Sequence, residues 1–377
     1  MKFLIISPKN RPTYNFRGDL LKEIQKAGYE TVAVGPDLEN ADEIAALGVR
    51  LCVVPLNKNG TSVLGDWKYY KALKKLIREE RPDITLGYTV KPSIFGALAA
   101  KKAGVGCVNS MITGLGYTFA SQSLKARILR KIVSFLYKKA LKKADNVFFQ
   151  NSDDLKEFVE KGFVNREKCV VVNGSGVNME KYAPEPYPEK LTFFMLARVM
   201  YAKGVIEYLK AATTVKTAHP EARFVLLGSV EGFQDSVPME IVQSYIDIGA
   251  IEYFGETKDV RPFFAACSVF VLPSYREGTP RTVLEAMSMA RPIITTNAPG
   301  CRNTIEEGVN GFLVPAGDSE ALADAMLKFI KQPETVPTMG AESRRICAER
   351  FEVGKVNGVM MRTMGIERRV EDEYVTV

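Results

Sequence analysis

Histidine is nearly missing from this chain: His219 is the only one among 377 residues. An imidazole metal site or a Ser-His-Asp triad therefore has almost no material to draw on. His219 itself, in an HPEAR stretch, reads as an ordinary surface residue. The six cysteines (Cys52, Cys107, Cys169, Cys267, Cys301 and Cys347) are scattered, and no two make a C-x-x-C pair. That argues against a disulfide framework and a zinc site, and for a reducing cytoplasm. No apolar run approaches the ~20 residues of a membrane span. The opening MKFLIISPKN has too short an apolar core for a signal peptide and reads as a first strand.

Negative charge is missing from one stretch. Ser121 to Lys143 holds eight basic residues and no acidic one: Lys125, Arg127, Arg130, Lys131, Lys138, Lys139, Lys142 and Lys143. The net charge is +7, so the rest of the chain is slightly negative and the basic character is one patch. Leu124, Ile128, Ile132, Phe135 and Leu136 run through it as an apolar stripe. The stripe reads as core packed on a sheet. The cations around it read either as a solvated edge or as a surface for anionic lipid headgroups, and the lack of acidic partners favours the second. No aromatic interleaving supports nucleic-acid binding.

What is present is an ordinary globular composition, 46% hydrophobic and 25% charged, over a length that calls for two domains. Short apolar runs alternate with helical stretches from Lys2 onward. The expected strands are Lys2–Ser7, Glu30–Val34, Leu51–Val54, Ile84–Gly87, Cys107–Ile112, Asn146–Gln150 and Cys169–Val172. A loop from Pro8 to Phe16 is expected before a helix from Arg17. Ser93 opens a small-residue helix, a glycine loop runs from Thr113 to Tyr117, and Ser152 caps a further helix. Asn178 to Lys190, with three prolines and no periodicity, marks an inter-domain linker. The alternation then restarts at Phe193 and runs on to Ile330, with a last long helix near Ala341 to Arg350. This is α/β: two doubly wound parallel-sheet domains facing a central cleft. The expected domains are residues 1–180 and 181–350, with 351–377 packing back on the first.

One stretch of the second half carries the chemistry: Val269 to Gly300, VFVLPSYREGTPRTVLEAMSMARPIITTNAPG. It reads as strand, loop, helix, strand, turn, with Pro280 at the first helical position, where a missing N–H costs nothing. Glu277 precedes the helix and Glu285 lies within it, eight residues on. Helix N-termini attract anions. Carboxylates beside one make sense if they hold the hydroxyl-rich groups attached to that anion, as in a nucleotide sugar. Arg198 and Lys203 sit in the loop after the strand ending at Leu196. Alone they read as solvated charges; beside the helix start near Thr279 they read as a diphosphate clamp.

The Val269–Gly300 stretch resembles the E-x7-E signature of retaining glycosyltransferases of family four, which have the GT-B fold. Ala197-Arg198 with Lys203-Gly204 is similar to that family's A-R-x4-K-G element. Tyr275-Arg276-Glu277-Gly278, Leu284-Glu285-Ala286-Met287, Pro292-Ile293-Ile294-Thr295 and Asn310-Gly311-Phe312-Leu313-Val314-Pro315 match its C-terminal half. Tyr88-Thr89-Val90-Lys91-Pro92 and Ile112-Thr113-Gly114-Leu115-Gly116 resemble a bacterial subgroup that builds lipid-linked surface glycans. The resemblance implies that Arg198 and Lys203 hold the diphosphate of a UDP-sugar. Glu285 then holds the ribose, Glu277 lies by the transferred sugar, and Gly278, Thr279 and Gly228 complete the donor site. No metal is expected.

Two departures stand out. The loop after the first strand reads Tyr14-Asn15-Phe16-Arg17-Gly18 where many members carry a glycine pair, and Ile112-Thr113-Gly114 stands where many carry a histidine. Asn15, Arg17, Gly18, Lys91, Thr113 and Gly114 are the implied contacts to a polyprenyl-diphosphate-linked sugar acceptor. With no general base in the N-terminal half, a front-face mechanism is expected in which the leaving phosphate takes the acceptor proton. The implied setting is the cytoplasmic face of the plasma membrane, with peripheral attachment and no nucleic acid. A UDP-sugar 2-epimerase of the same architecture and a non-catalytic membrane-associated scaffold are the alternatives.

Overall fold

The computed structural model describes residues 1–57, 60, 62–114, 124–230 and 235–367, the helical residues 124–128 by backbone only. Leu115, Gly116, Tyr117, Ser121, the tail from Glu371, and the side chains of Lys125 and Arg127 therefore lie outside the described residues. The chain divides into two compact units, Met1–Ser175 with Gly354–Val377, and Gly176–Val353. The two chain crossings meet as a short parallel bridge. Val177 N–H donates to Phe351 O (2.8 Å) and Val353 N–H to Val177 O (3.0 Å). Gly176 has φ +69°, and a Cβ there would come within 2.7 Å of Val353 Cα, so the crossing requires glycine.

The first unit carries strands β1 (Lys2–Ile6), β2 (Glu30–Gly35), β3 (Arg50–Val53), β4 (Ile84–Tyr88), β5 (Cys107–Ile112), β6 (Asn146–Phe149) and β7 (Cys169–Val171). Their order is β3-β2-β1-β4-β5-β6-β7, every pair parallel. Side chains alternate along a strand, so each face of the sheet gets its own core. Leu4 and Ile6 pack with Tyr69, Leu73 and Tyr137 on one face. Phe3 and Ile5 pack with Leu20, Leu21, Met360 and Met361 on the other. The last two come from the helix Val353–Thr363, which Asn357 also ties to Glu23 (2.8 Å).

The second unit carries β8 (Thr192–Leu196), β9 (Arg223–Leu227), β10 (Glu252–Tyr253), β11 (Val269–Leu272), β12 (Ile293–Thr296) and β13 (Gly311–Val314), in the order β10-β9-β8-β11-β12-β13. In each sheet the strand order reverses beside the first strand, between β1 and β4 and between β8 and β11. The carboxyl ends at such a switch point are where ligands of parallel sheets bind.

Local details depart from the sequence reading. The helix expected from Arg17 begins at Asn10, because Pro12 falls in its first turn, where no intrahelical N–H bond is lost. Ser152 is the first helical residue and Asn151 is the cap, its Oδ1 accepting from Asp154 N–H (2.8 Å). Pro280 stands one position before the helix Arg281–Ser288, in extended conformation. The prolines of 178–190 do not make a free linker. That stretch straps over the second unit, with Ser288 Oγ donating to Tyr182 O (2.7 Å) and buried Arg291 to the carbonyls of Glu185 (3.0 Å) and Pro186 (3.2 Å). Side chains satisfy its backbone, so it needs neither helical nor strand periodicity.

Candidate active site

At the carboxyl ends of β8, β11 and β12, three loops are pinned to one another by backbone contacts. Tyr275 N–H donates to Ala202 O (3.0 Å), and Glu277 N–H to Pro299 O (3.0 Å). Two glycines make this possible. Gly204 has φ +72°, and a Cβ there would lie 2.1 Å from Pro273 O; Gly300 has φ +81°, and its Cβ would lie 2.2 Å from Glu277 O. Gly228 plays a third part: a Cβ would lie 1.8 Å from Ala197 O, where the exits of β8 and β9 touch. The sequence-predicted Gly228 is thus a packing point of the site's floor.

This scaffold places Lys203 against Glu277. The Lys203 ammonium and a Glu277 carboxylate oxygen form an ion pair, with side chains 19% and 15% exposed. Arg198 leaves β8 on the same loop; it is exposed and has no ion-pair partner among the described residues. Cys301 is buried behind Glu277. Burial, followed by the nearby Glu277 charge, pushes its thiol up to about 12, so it stays protonated and inert.

Gly278 and Thr279 form the turn into the helix Arg281–Ser288, whose Val283, Leu284 and Met287 are buried. No acidic residue lies in its first turn. Glu285 lies deeper, 7% exposed. Arg281 Nε donates to its Oε1 (3.1 Å), and the Arg281 guanidinium also reaches Gly176 O. Burial raises the Glu285 carboxyl above its ordinary value, outweighing Arg281 and the Tyr182 hydroxyl, which both favour the charge. The sequence reading missed Arg281 and Tyr182. The four-residue Arg281–Glu285 spacing was a usable signal for the first; nothing local points to Tyr182, which arrives on the strap. A further pair at the rim, Tyr275 Oη donating to Glu207 Oε1 (2.9 Å), was also missed.

Structure sorts the first-unit candidates differently. Arg17 is fully buried, its guanidinium against the sulfurs of Met111 (2.7 Å) and Met360 (3.3 Å) and 5.3 Å from the Tyr88 ring centroid. It is an interior group, not a surface contact, because the longer helix turns it inward. Gly18 is buried too, packed where a Cβ would meet Leu47 at 3.3 Å. Asn15 is exposed, while Thr113 and Gly114 are half-buried at the end of β5. Lys91 donates to Asp66 (2.6 Å), Gly60 O (2.8 Å) and Asn57 O (3.0 Å), on the wall of a cavity of about 810 Å³ within this unit. Beside it Thr89 holds φ +73° at the end of β4, a costly conformation for a β-branched residue. In the basic helix Leu124–Leu141 the buried face is Tyr137, Ala140 and Leu141. Ile132 (48%) and Phe135 (57%), expected in the core, are exposed.

Among the described residues no group of three or more His, Cys, Asp or Glu side chains could hold a metal, and no helix is long and apolar enough to cross a membrane.

Among solved structures, the chain is similar to Anabaena HepE in complex with UDP-glucose, at 19% identity, covering 97% of this chain and 99% of that one with a TM-score of 0.79. It is equally similar to the sucrose-phosphate synthase of Thermosynechococcus elongatus, at 18% identity, covering 96% and 98%, TM-score 0.79. The fold is therefore GT-B. A family model described as glycosyl transferase 4-like domain matches residues 16–174, and one described as glycosyl transferases group 1 matches residues 190–332. A Campylobacter jejuni protein named N,N'-diacetylbacillosaminyl-diphospho-undecaprenol alpha-1,3-N-acetylgalactosaminyltransferase is 27% identical over 86% of this chain and 88% of its own length. An Escherichia coli protein named UDP-Gal:alpha-D-GlcNAc-diphosphoundecaprenol alpha-1,3-galactosyltransferase is 26% identical over 81% of each. The chain belongs to this family of GT-B glycosyltransferases, family four, in its bacterial surface-glycan subgroup.

Proposed function

We propose that this glycosyltransferase moves a hexose or N-acetylhexosamine from a UDP-sugar to a polyprenyl-diphosphate-linked glycan, with retention at the anomeric carbon. The observation that carries this is the Lys203–Glu277 pair, held by Gly204 and Gly300 beside exposed Arg198. A lysine is a point charge that exchanges partners readily. When the donor binds, Lys203 turns from Glu277 to the diphosphate with Arg198, and Glu277 accepts from a sugar hydroxyl. The helix start at Gly278 and Thr279 then faces the β-phosphate, where negative charge grows as the glycosidic bond breaks. Glu285, steadied by Arg281 and Tyr182, accepts from the ribose hydroxyls. The leaving phosphate takes the acceptor proton on the same face. Two cations and a helix dipole stabilise the leaving group, so no metal is required. Lys91, Thr113, Gly114 and Asn15 serve the acceptor, and the diphospho-undecaprenol acceptors in the names of the Campylobacter and Escherichia relatives support its chemical class.

The acceptor's lipid puts the enzyme at the inner face of the plasma membrane, where Arg130, Lys131, Lys138, Lys139, Lys142 and Lys143 meet anionic headgroups. The test is transfer of radiolabelled sugar from a panel of UDP-sugars to a lipid-linked acceptor, with the anomer of the product read by NMR. Transfer with retention, undiminished by EDTA, is expected. Inversion, or interconversion of the UDP-sugar without transfer, defeats the proposal.

A further inference from the structure

The helix Val63–Glu80 carries a surface that neither the transfer chemistry nor the basic helix accounts for. With the segment 92–103 and the helix Leu124–Leu141 it covers one face of the first sheet, burying Tyr69, Leu73 and Ile77. Its first turns nevertheless present Val63 (79% exposed), Leu64 (61%) and Trp67 (51%) to solvent. Three large apolar side chains adjacent on one exposed turn are a standing cost in water. The fold does not require them. The turn is fixed by Ser62 Oγ, which accepts from Gly65 N–H (3.2 Å), and by buried Tyr69.

Charge identifies the occupant. The exposed cations along these turns are Lys68, Lys71 and Lys75, the last also 3.8 Å from exposed Glu79 one turn on. Lys71 Nζ lies 3.6 Å from the Trp67 ring centroid, so cation and apolar surface are interleaved. The acidic residue of these turns, Asp66, is turned away to Lys91. The same pairing recurs on the helix Leu124–Leu141, where Lys139 Nζ lies 4.6 Å from the exposed Phe135 ring. Apolar tips collared by cations suit the headgroup layer of an anionic bilayer, where tryptophan is favoured. A cytosolic protein partner would have no need of two such collars.

We propose that Val63, Leu64 and Trp67 form a wedge that seats the first unit in an anionic membrane surface, with Lys68, Lys71 and Lys75 on lipid phosphates. The inference rests on the lipid-linked reading above and adds its point of entry. The helix's next face, Ser62, Gly65, Asp66 and Tyr69, lines the cavity that holds Lys91. Seating the wedge therefore brings that cavity to the depth at which a lipid diphosphate emerges from the bilayer.

Trp67 is the only tryptophan in the chain, so its emission reports on this turn alone. The full chain is mixed with phosphatidylcholine vesicles, with and without phosphatidylglycerol, and followed by flotation and fluorescence. With phosphatidylglycerol the chain should float, and its emission should shift to the blue and be quenched by brominated acyl chains. The Leu64→Ser/Trp67→Ala variant should float about tenfold more weakly, with unchanged circular dichroism and melting. Flotation with unshifted emission overturns the wedge and leaves the lipid-linked reading standing. No flotation overturns both the wedge and membrane attachment, while sugar transfer in detergent still tests the enzyme. An emission shift that follows protein concentration without vesicles assigns the patch to a second copy and also overturns the proposal.

Discussion

Two charged clusters in this molecule use similar residues to opposite ends. At the amino ends of the first sheet, Arg50 forks onto Glu80 (2.9 and 2.5 Å) and reaches Glu30 (3.0 Å), while Lys2 reaches Glu80 (2.9 Å). Arg50 above all holds the Glu80 carboxyl down at about 2. At the carboxyl ends of the second sheet, Lys203 forms an ion pair with Glu277, and the Glu285 carboxyl is pushed up by burial. A bidentate guanidinium saturates its partner and fixes it. A lysine point charge and a buried, reluctant carboxylate leave interactions to be exchanged. The amino ends of the strands hold structure together; the carboxyl ends hold groups that gain by meeting a ligand.

Cutting a cation from each cluster breaks the comparison most directly. Lys203→Ala should lower kcat/KM by about 10²–10³-fold, the scale of losing one preorganised stabiliser of a leaving group, and Arg198→Ala nearly as much. Arg50→Ala should change kcat/KM by less than about twofold while lowering the melting temperature. Steady-state kinetics and thermal melts on the same preparations decide it. Equal kinetic losses at Arg50 and Lys203 would erase the division between the two ends.

Within the second cluster the two glutamates should separate. Glu277→Ala should act mainly on kcat, about 10²-fold, because its sugar contact matures in the transition state. Glu285→Ala should act mainly on donor KM, about tenfold, because a ribose held equally before and during reaction affects binding alone. Equal small effects on both parameters at both residues would remove them from the site.

The glycines that pin the site come next. Gly204→Ala and Gly300→Ala each force a Cβ onto a backbone carbonyl at positive φ, and each should cost about 2–4 kcal/mol. Chemical denaturation of the variants measures this directly. Gly249→Ala, where φ is +70° but nothing lies within 4 Å, should cost distinctly less and isolates strain from collision.

How far the sequence reached follows from how local each cause is. The strands of the described residues were legible, because the central ones, buried on both faces, read as apolar runs and the half-exposed edge strands β3, β7 and β10 continue the same alternation with helices. The positions of Glu277, Lys203 and Arg198 on the loops were legible because each lies within a few residues of a strand end or helix start. Arg17 was misjudged for want of one fact, that the first helix starts at Asn10 and so carries Arg17 inside. Tyr182 and the strap were missed because hydrogen bonds from Ser288 and Arg291, over a hundred residues away, replace any local pattern. Trp67 was read only as the start of a helix to Glu80, which in fact begins at Val63; a helix with a sound inner stripe gives no local sign of an apolar outer turn.

The smallest expected effect is in pH, and it tests the comparison by sign. Glu80 is held at about 2 against an ordinary 4.5. Its contribution to stability is therefore present above about pH 4.5 and is lost as pH falls toward 2. Glu285 is raised, so the contribution tied to its carboxyl is present below about 4.5 and is lost as pH rises through its folded value. Thermal melts from acid to neutral pH should then show two opposite trends. Arg50→Ala should flatten the acid-side loss, because the depressed Glu80 is what steepens it. Glu285→Gln should gain on the wild type as pH rises, whatever offset the lost Arg281 contact imposes at every pH. If the offset between Glu285→Gln and the wild type stays constant across the titration, burial does not strain Glu285, and the carboxyl ends differ from the amino ends in position only.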